Sequence, residues 1–186
     1  MVRGGAGSGH AGGAQVVVRV ETATNVQAVR AVHEAAFGGS AEADLVDALR
    51  LDPAWLPGLS LVALEPVPGE AAPWDVLGHV LLTRLRVGGR DALALAPLAV
   101  RPDRQGRGVG SALVRAALDG AREAGERLVV VLGEPAYYGR FGFVPAATLG
   151  ITGPYGDGPA LQALPLGDTT DVPRGAAAYP RPFTLV

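Results

Sequence analysis

The stretch Leu93 to Ala124, LALAPLAVRPDRQGRGVGSALVRAALDGAREA, constrains the chain more than any other part of it. An apolar run, Ala92 to Val100, leads through a polar loop, Arg101 to Arg107, into a helical pattern from Gly108 to about Ala124. Val109, Ala112, Leu113, Ala116, Ala117 and Ala121 keep helical spacing, and Gly125 supplies the stop. A glycine-rich loop that opens a helix leaves several amides unpaired at the positive end of the helix dipole. Such a segment is a receptor for phosphate oxygens, and Gly106, Gly108 and Gly110 let the main chain approach an anion. Arg101, Arg104 and Arg107 against Asp103 add positive charge to the loop. The plainer reading, a surface turn before a helix, is outweighed by the strand ahead of it and the amphipathic pattern behind it. Pro97 sits awkwardly in a strand unless a bulge or an open edge breaks the ladder there.

The remaining pattern surrounds this unit with a mixed sheet. Val16 to Val20 reads as a first strand, and Thr24 or Asn25 caps a helix from Val26 to about Phe37, stopped by Gly38-Gly39. Ser40 caps a second helix carrying Leu45, Val46 and Leu49, which ends before Pro53. Strands follow at Leu59–Glu65 and Val76–Val87, separated by a turn over Pro66–Pro73, and Gly88 to Asp91 turns the chain into Ala92–Val100. Leu128 to Leu132 (LVVVL) is typical of a strand buried on both faces. Pro135 to Arg140 suits a short helix, and further strands fit Ala160–Leu166 and the region of Ala176–Tyr179. Residues 1–14 are Gly-rich and predicted to be a flexible tail, with residues 15–186 as one domain. The order is α/β without the strict alternation of a doubly wound fold.

Composition removes several function classes. Sixteen basic residues against 18 acidic ones give a formal charge of −2, which is no footprint for nucleic acid or an anionic membrane. Every basic residue is Arg, so Schiff-base chemistry and a Walker phosphate loop are excluded. With no Cys, disulfides and thiolate nucleophiles are excluded as well. The apolar run Ala92–Val100 is far short of the ~18 residues that cross a bilayer, and the N-terminus has Arg3 but no apolar signal core. A cytoplasmic protein is expected. The three histidines lack metal-ligand spacing, so no metal is expected. Gly106-x-Gly108-x-Gly110 also departs from the spacing of a dinucleotide-binding fingerprint.

Two blocks carry a resemblance. Gln105-Gly106-Arg107-Gly108-Val109-Gly110 resembles the Q/R-x-x-G-x-G/A signature of the GNAT superfamily of N-acetyltransferases, within a run similar to LAV-RP-x-x-Q-G-x-G-x-G. Tyr138-Gly139-Arg140-Phe141-Gly142-Phe143 resembles the family's Y-x-x-x-GF segment, and the longer run Val130 to Phe143 is similar to a bacterial subgroup of predicted N-acetyltransferases. The likeness spans about residues 15–146.

The resemblance implies a GNAT-like, mostly antiparallel twisted sheet, splayed between its fourth and fifth strands and flanked by helices. It implies acetyl-CoA as co-substrate, lying in the V-shaped opening, its pantetheine arm along Leu98, Ala99 and Val100. Pro97 would then mark the bulge that spoils normal pairing. The pyrophosphate would rest on the segment from Arg104 through Gln105, Gly106, Arg107, Gly108, Val109 and Gly110 to Ser111. Tyr138 corresponds to the general acid toward the departing thiolate, whereas packing against the cofactor is its plainer role; Tyr137 is a weaker candidate. The acceptor is a small-molecule or peptide amine.

The family often carries a carboxylate on the fourth strand, and Ala92–Val100 contains none. Three other bases are candidates: Glu34 and Glu42 on the early helices and His79 on the third strand. Solvated helix faces and a core histidine are the plainer readings of these three. His33 falls on an apolar stripe and reads as structural, and Trp55 and Trp74 as packing residues. The missing carboxylate also supports an alternative, an acyl-CoA-binding regulatory module without turnover. A homodimer is compatible with the sequence, which does not itself set the oligomeric state.

Overall fold

The computed structural model describes residues 16–67, 74–168 and 171–184; the predicted tail and most of the Pro66–Pro73 turn lie outside them. The strands are β1 (Val17–Val20), β2 (Ser60–Pro66), β3 (Trp74–Val87), β4 (Arg90–Val100), β5 (Leu128–Leu132), β6 (Val144–Pro145), β7 (Ile151–Thr152), β8 (Leu161–Pro165) and β9 (Gly175–Ala178). The helices are α1 (Val26–Phe37), α2 (Ala41–Arg50), α3 (Val109–Glu123) and the single turn α4 (Pro135–Tyr138). The sheet runs β1-β2-β3-β4-β5-β8-β6, antiparallel throughout except for the parallel pair β4–β5. β9 pairs with the far end of β3, at Arg86↔Ala178 and Val87↔Ala177, and β7 runs parallel to β9.

Each face of the sheet is covered by helices whose apolar stripes match it. On one side Val29 and Val32 of α1 and Leu45, Val46 and Leu49 of α2 pack with Val62, Leu81, Leu85, Ala94 and Val130. On the other, Val109, Leu113, Val114 and Ala117 of α3 pack with Leu61, Ala63, Leu77, Val80, Leu82 and Leu93. The alternation of strand side chains feeds the two cores separately.

Local signals hold with adjustments. Asn25 occupies the start of α1, but its side chain accepts from Thr22 N–H at 2.9 Å and so caps the short turn ahead of the helix. Ser40 occupies the start of α2 without capping it, because its hydroxyl donates to Asp44 Oδ2 at 2.8 Å. The β3–β4 hairpin closes on Gly88 and Gly89 alone, between the paired Val87 and Arg90. Both glycines have positive φ, +56° and +81°, as a tight two-residue turn requires. Gly88 is doubly constrained, since a Cβ there would stand 1.9 Å from Arg174 C=O. The short strands β6 and β7 and the turn at 181–184 have no clear sequence signal, and β9 starts at Gly175 rather than Ala176.

Two features of β4 position the site. Val80 faces Leu98 and Leu82 faces Leu95, so Leu81 is opposed by both Ala96 and Pro97: a bulge at the predicted proline. β4 meets β5 only at Leu93↔Val129 and Ala94↔Val130, although β5 pairs with β8 along its whole length. From Leu95 onward the β5-facing edge of β4 is open.

Candidate active site

Arg101 N–H bonds to Leu77 C=O at 2.9 Å, and antiparallel alternation then turns the main-chain groups of Leu98 and Val100 away from β3. They point to the open edge, where Gln105 Nε2 already donates to Val100 C=O at 3.0 Å. Beside this edge the chain passes through the loop into α3. Gly108, at φ +85°, makes the turn that starts the helix, a conformation in which a Cβ is strained. Ala112 N–H closes onto Gly108 C=O at 2.9 Å, and among the described residues none of the amides from Gly106 to Ser111 makes a short, well-aligned backbone hydrogen bond.

These groups surround a cleft of about 570 Å³, lined by Leu98, Val100, Arg104, Gln105, Gly106, Gly108, Val109, Gly110 and Ser111, with Tyr137 and Arg140 closing its far side. Ala99 and Arg107 are not among its lining residues. The side chain of Ala99 is buried in the α1/α2 core, and Arg107 is exposed. The loop carries less free charge than its three arginines suggest. Arg101 is held by Asp75 at 2.6 Å and by Asp103 at 2.7 Å, and Arg104 by Glu65. The cleft therefore presents main-chain N–H groups more than free guanidinium groups, with Arg140 at its rim.

The aromatic pair divides its roles. Tyr137 lines the cleft, half-buried, and its hydroxyl sits where a Cβ on Gly110 would be 2.7 Å away. Burial raises its pKa, opposed by a hydrogen bond to Ser111 and by the charges of Arg140 and Arg115. Arg140 lies over its ring at 4.5 Å and donates from Nε to Tyr137 C=O at 3.2 Å. Tyr138 is only 8% exposed, packed edge-on to Tyr137 at 5.0 Å and to Phe143 at 5.6 Å. It fills the space beside Gly133, where a Cβ would stand 2.3 Å from its ring. Burial, then the neighbouring Tyr137, pushes its pKa up to about 12. The sequence reading ranked Tyr137 below Tyr138 and missed Arg140, whereas the cleft is lined by Tyr137 and Arg140 and not by Tyr138; which tyrosine faces the cleft depends on the helical turn Pro135–Tyr138.

None of the three candidate bases lines this cleft. Glu34 pairs with Arg30 at 2.9 Å on the surface of α1, and Glu42 sits in the first turn of α2, where it complements the dipole. His79 is fully buried in a chain of hydrogen bonds: His33 Nε2 to His79 Nδ1 at 2.9 Å, His79 Nε2 to Ser60 Oγ at 2.9 Å, and Ser60 Oγ to Glu21 Oε2. Arg50 Nη2 secures the other Glu21 oxygen at 2.6 Å. Ser60 has one proton and spends it on the carboxylate, so both histidines carry theirs on Nε2 and His33 Nδ1 is left as a buried, unpartnered lone pair. Burial alone would raise the Glu21 carboxyl, but hydrogen bonds from His79 and Ser60 and the charge of Arg50 outweigh it and lower it to about 2. Burial lowers His79 and takes His33 down to about 3, so both rings are neutral at pH 7.

A second cavity, about 220 Å³, opens at the same parting. Ala94, Leu95 and Ala96 of β4 and Val130 to Leu132 of β5 form its walls, and Tyr155, Tyr179 and Phe183 close it. Tyr179 and Phe183 pack with the α1/α2 core, whereas Leu95 and Val131 belong to the α3-side core, so the cavity lies between the two at the parted strands and shares no lining residue with the cleft. Among the described residues no cluster of His, Asp or Glu suits a metal ion, and no helix is long and apolar enough to cross a membrane.

The chain is similar to known proteins in sequence and in fold. Residues 26–143 match the model of the acetyltransferase (GNAT) family. The chain is 42% identical over 132 residues to the uncharacterized N-acetyltransferase YjhQ of Escherichia coli, covering 68% of this chain and 69% of that protein. The crystal structure of the GNAT protein YhbS from Escherichia coli in complex with CoA superposes with TM-score 0.83 at 31% identity, covering 95% of this chain and 96% of that one. A GNAT acetyltransferase from Brucella melitensis in complex with acetyl-CoA gives TM-score 0.73 at 34% identity, over 92% and 99% of the two chains. With the family model matched over residues 26–143 and a relative 42% identical over 68% of its length, this chain, its strands parted at β4–β5 beside an amide-lined cleft, belongs to the GNAT family of acetyltransferases.

Proposed function

We propose that the protein transfers an acetyl group from acetyl-CoA to a primary amine by direct attack on the thioester, with Tyr138 as general acid. The observation that supports this most is the open edge of β4 running into the unpaired amides of Gly106 to Ser111. These amides and the α3 dipole suit a pyrophosphate, and the edge groups of Leu98 and Val100 suit an amide-bearing pantetheine arm. Two related structures hold CoA and acetyl-CoA.

The amine nitrogen adds to the thioester carbonyl, forming the C–N bond and a tetrahedral oxyanion. Edge N–H groups of β4 are the donors at hand for that oxygen. Collapse breaks the C–S bond; the thiolate leaves and takes a proton, while the amine loses one to solvent. Tyr138 lies behind Tyr137 rather than in the cleft lining, and with its pKa near 12 the phenol stays protonated in the neutral range. Its role would be a hydrogen bond to the leaving sulfur, with the thiolate taking its proton as the phenol regains one from solvent. Glu34, Glu42 and His79 lie off the cleft lining, so a water chain or solvent takes the amine proton.

Calorimetry with acetyl-CoA tests the cofactor site, and release of free CoA thiol on adding amines tests turnover. Without a side-chain base at the cleft, kcat/KM should climb with pH as the amine, pKa near ~10, loses its proton. A plateau beginning below pH 7 would instead reveal an enzymic base. Tyr138→Phe should lower kcat about a hundredfold with acetyl-CoA affinity little changed. An unaltered rate at every pH would remove Tyr138 from the chemistry.

A further inference from the structure

The smaller cavity at the parted strands combines an aromatic wall, a floor of small side chains and an absence of charge. Alanine at both 94 and 96 leaves the β4 wall open, where larger residues would fill it. Tyr155, Tyr179 and Phe183 stack edgewise, with centroids 5.3 and 5.2 Å apart, and the Tyr155 hydroxyl donates to Phe183 C=O at 3.1 Å, fixing the wall. No Asp, Glu, Arg or His lines the cavity. Of its lining residues, Leu132 and Tyr155 are the ones most open to solvent, 48% and 46% exposed, and they mark its mouth.

We infer that this cavity receives the ring of the acceptor, so that the preferred substrate is an arylalkylamine: a primary amine joined to an aromatic ring by a short alkyl chain. The inference rests on the acetyl-transfer reading above and deepens it. A volume of about 220 Å³ equals roughly seven waters, which admits one ring and a short chain but not a peptide. A second ammonium or a carboxylate would enter without a partner, which disfavours polyamines and amino acids. Ring edges and faces on the wall favour an aromatic guest over an aliphatic one. The mouth marked by Leu132 and Tyr155 gives the guest its own route from solvent, which a longer acyl tail threaded from the cofactor cleft would not need. Burial pushes the Tyr179 phenol up to about 12, so that wall stays uncharged over the working range.

The test compares 2-phenylethylamine, ethylamine and putrescine as acceptors with acetyl-CoA, together with direct calorimetry of 2-phenylethylamine on the cofactor-free protein. 2-Phenylethylamine should exceed the other two in kcat/KM by about tenfold or more. Ala96→Leu, which fills the cavity, and Tyr155→Ala, which removes a half-exposed ring at little risk to folding, should each abolish most of that advantage. Acetyl-CoA affinity should stay within about twofold in both, since neither residue lines the cofactor cleft. Equal or better turnover of ethylamine or putrescine overturns the acceptor assignment and leaves acetyl transfer standing. So does failure of 2-phenylethylamine to bind while acetyl-CoA binds. Preference for hexanoyl-CoA over acetyl-CoA, reversed by Ala96→Leu, assigns the cavity to the acyl tail and overturns the inference. Absence of acetyl-CoA binding overturns the transfer reading and this inference with it.

Discussion

A methyl group added at residue 110 would stand 2.7 Å from the Tyr137 hydroxyl, inside contact distance. In the sequence Gly110 reads as room for an anion; in the folded chain that room is occupied by a tyrosine from the turn after β5. Gly110→Ala should displace Tyr137 and weaken acetyl-CoA binding several-fold, with thermal stability nearly unchanged. Gly108→Ala should act through the backbone instead, costing about 1–2 kcal/mol for a side chain at φ +85°. Calorimetry and thermal melts on the two variants separate these effects. The buried histidines make a further residue-scale prediction. His33 binds a proton near pH 3 in the folded chain but near 6.5 when unfolded, so stability is full above pH 6.5 and falls as pH drops toward 3. Glu21, depressed from 4.5 to about 2, adds a loss in the same direction at lower pH. At about 1.4 kcal/mol per unit, His33 alone removes about 2 kcal/mol between pH 6.5 and 5. Urea midpoints that stay level over that range would contradict the neutral-histidine network.

Among the elements, β4 departs furthest from its periodicity. Leu93 and Leu95 belong to the α3-side core, and beyond the bulge Leu98 and Val100 pack there too, so the inward positions switch from odd to even numbers. A strict two-residue alternation read across Ala92–Val100 would send Leu98 and Val100 to the wrong core. The awkward proline is the legible trace of this, because a residue without an N–H belongs where the ladder is interrupted. Deleting Pro97 should give Leu81 a single partner, straighten β4 and bring its edge toward β5. Acetyl-CoA affinity should then fall about tenfold or more while far-UV circular dichroism is retained. Undiminished affinity would show that the parting does not depend on the bulge. The helix caps were less legible: Asn25 and Ser40 stand at the expected positions, but Thr22 and Asp44 compete for their side chains.

Across the molecule, the α3-side cleft and the aromatic cavity share no lining residue, so perturbations of the aromatic wall should spare the cleft. Phe183 is 7% exposed, in the α1/α2 core, and its ring also walls the smaller cavity. Phe183→Ala should cost about 3–5 kcal/mol of stability, visible in urea denaturation, with acetyl-CoA affinity at permissive temperature unchanged. A parallel loss of affinity would mean that the wall and the cleft are coupled. The strand–loop–helix unit and its glycine-rich turn into α3 followed from the chain's linear order alone, because that geometry is made by contiguous residues and local backbone preferences. The aromatic cavity and the Glu21–Ser60–His79–His33 chain did not. Their members come from elements far apart in sequence, so no local pattern announces them. Only strand register and helix packing bring Tyr155 and Tyr179 beside Ala96, or His33 within 2.9 Å of His79.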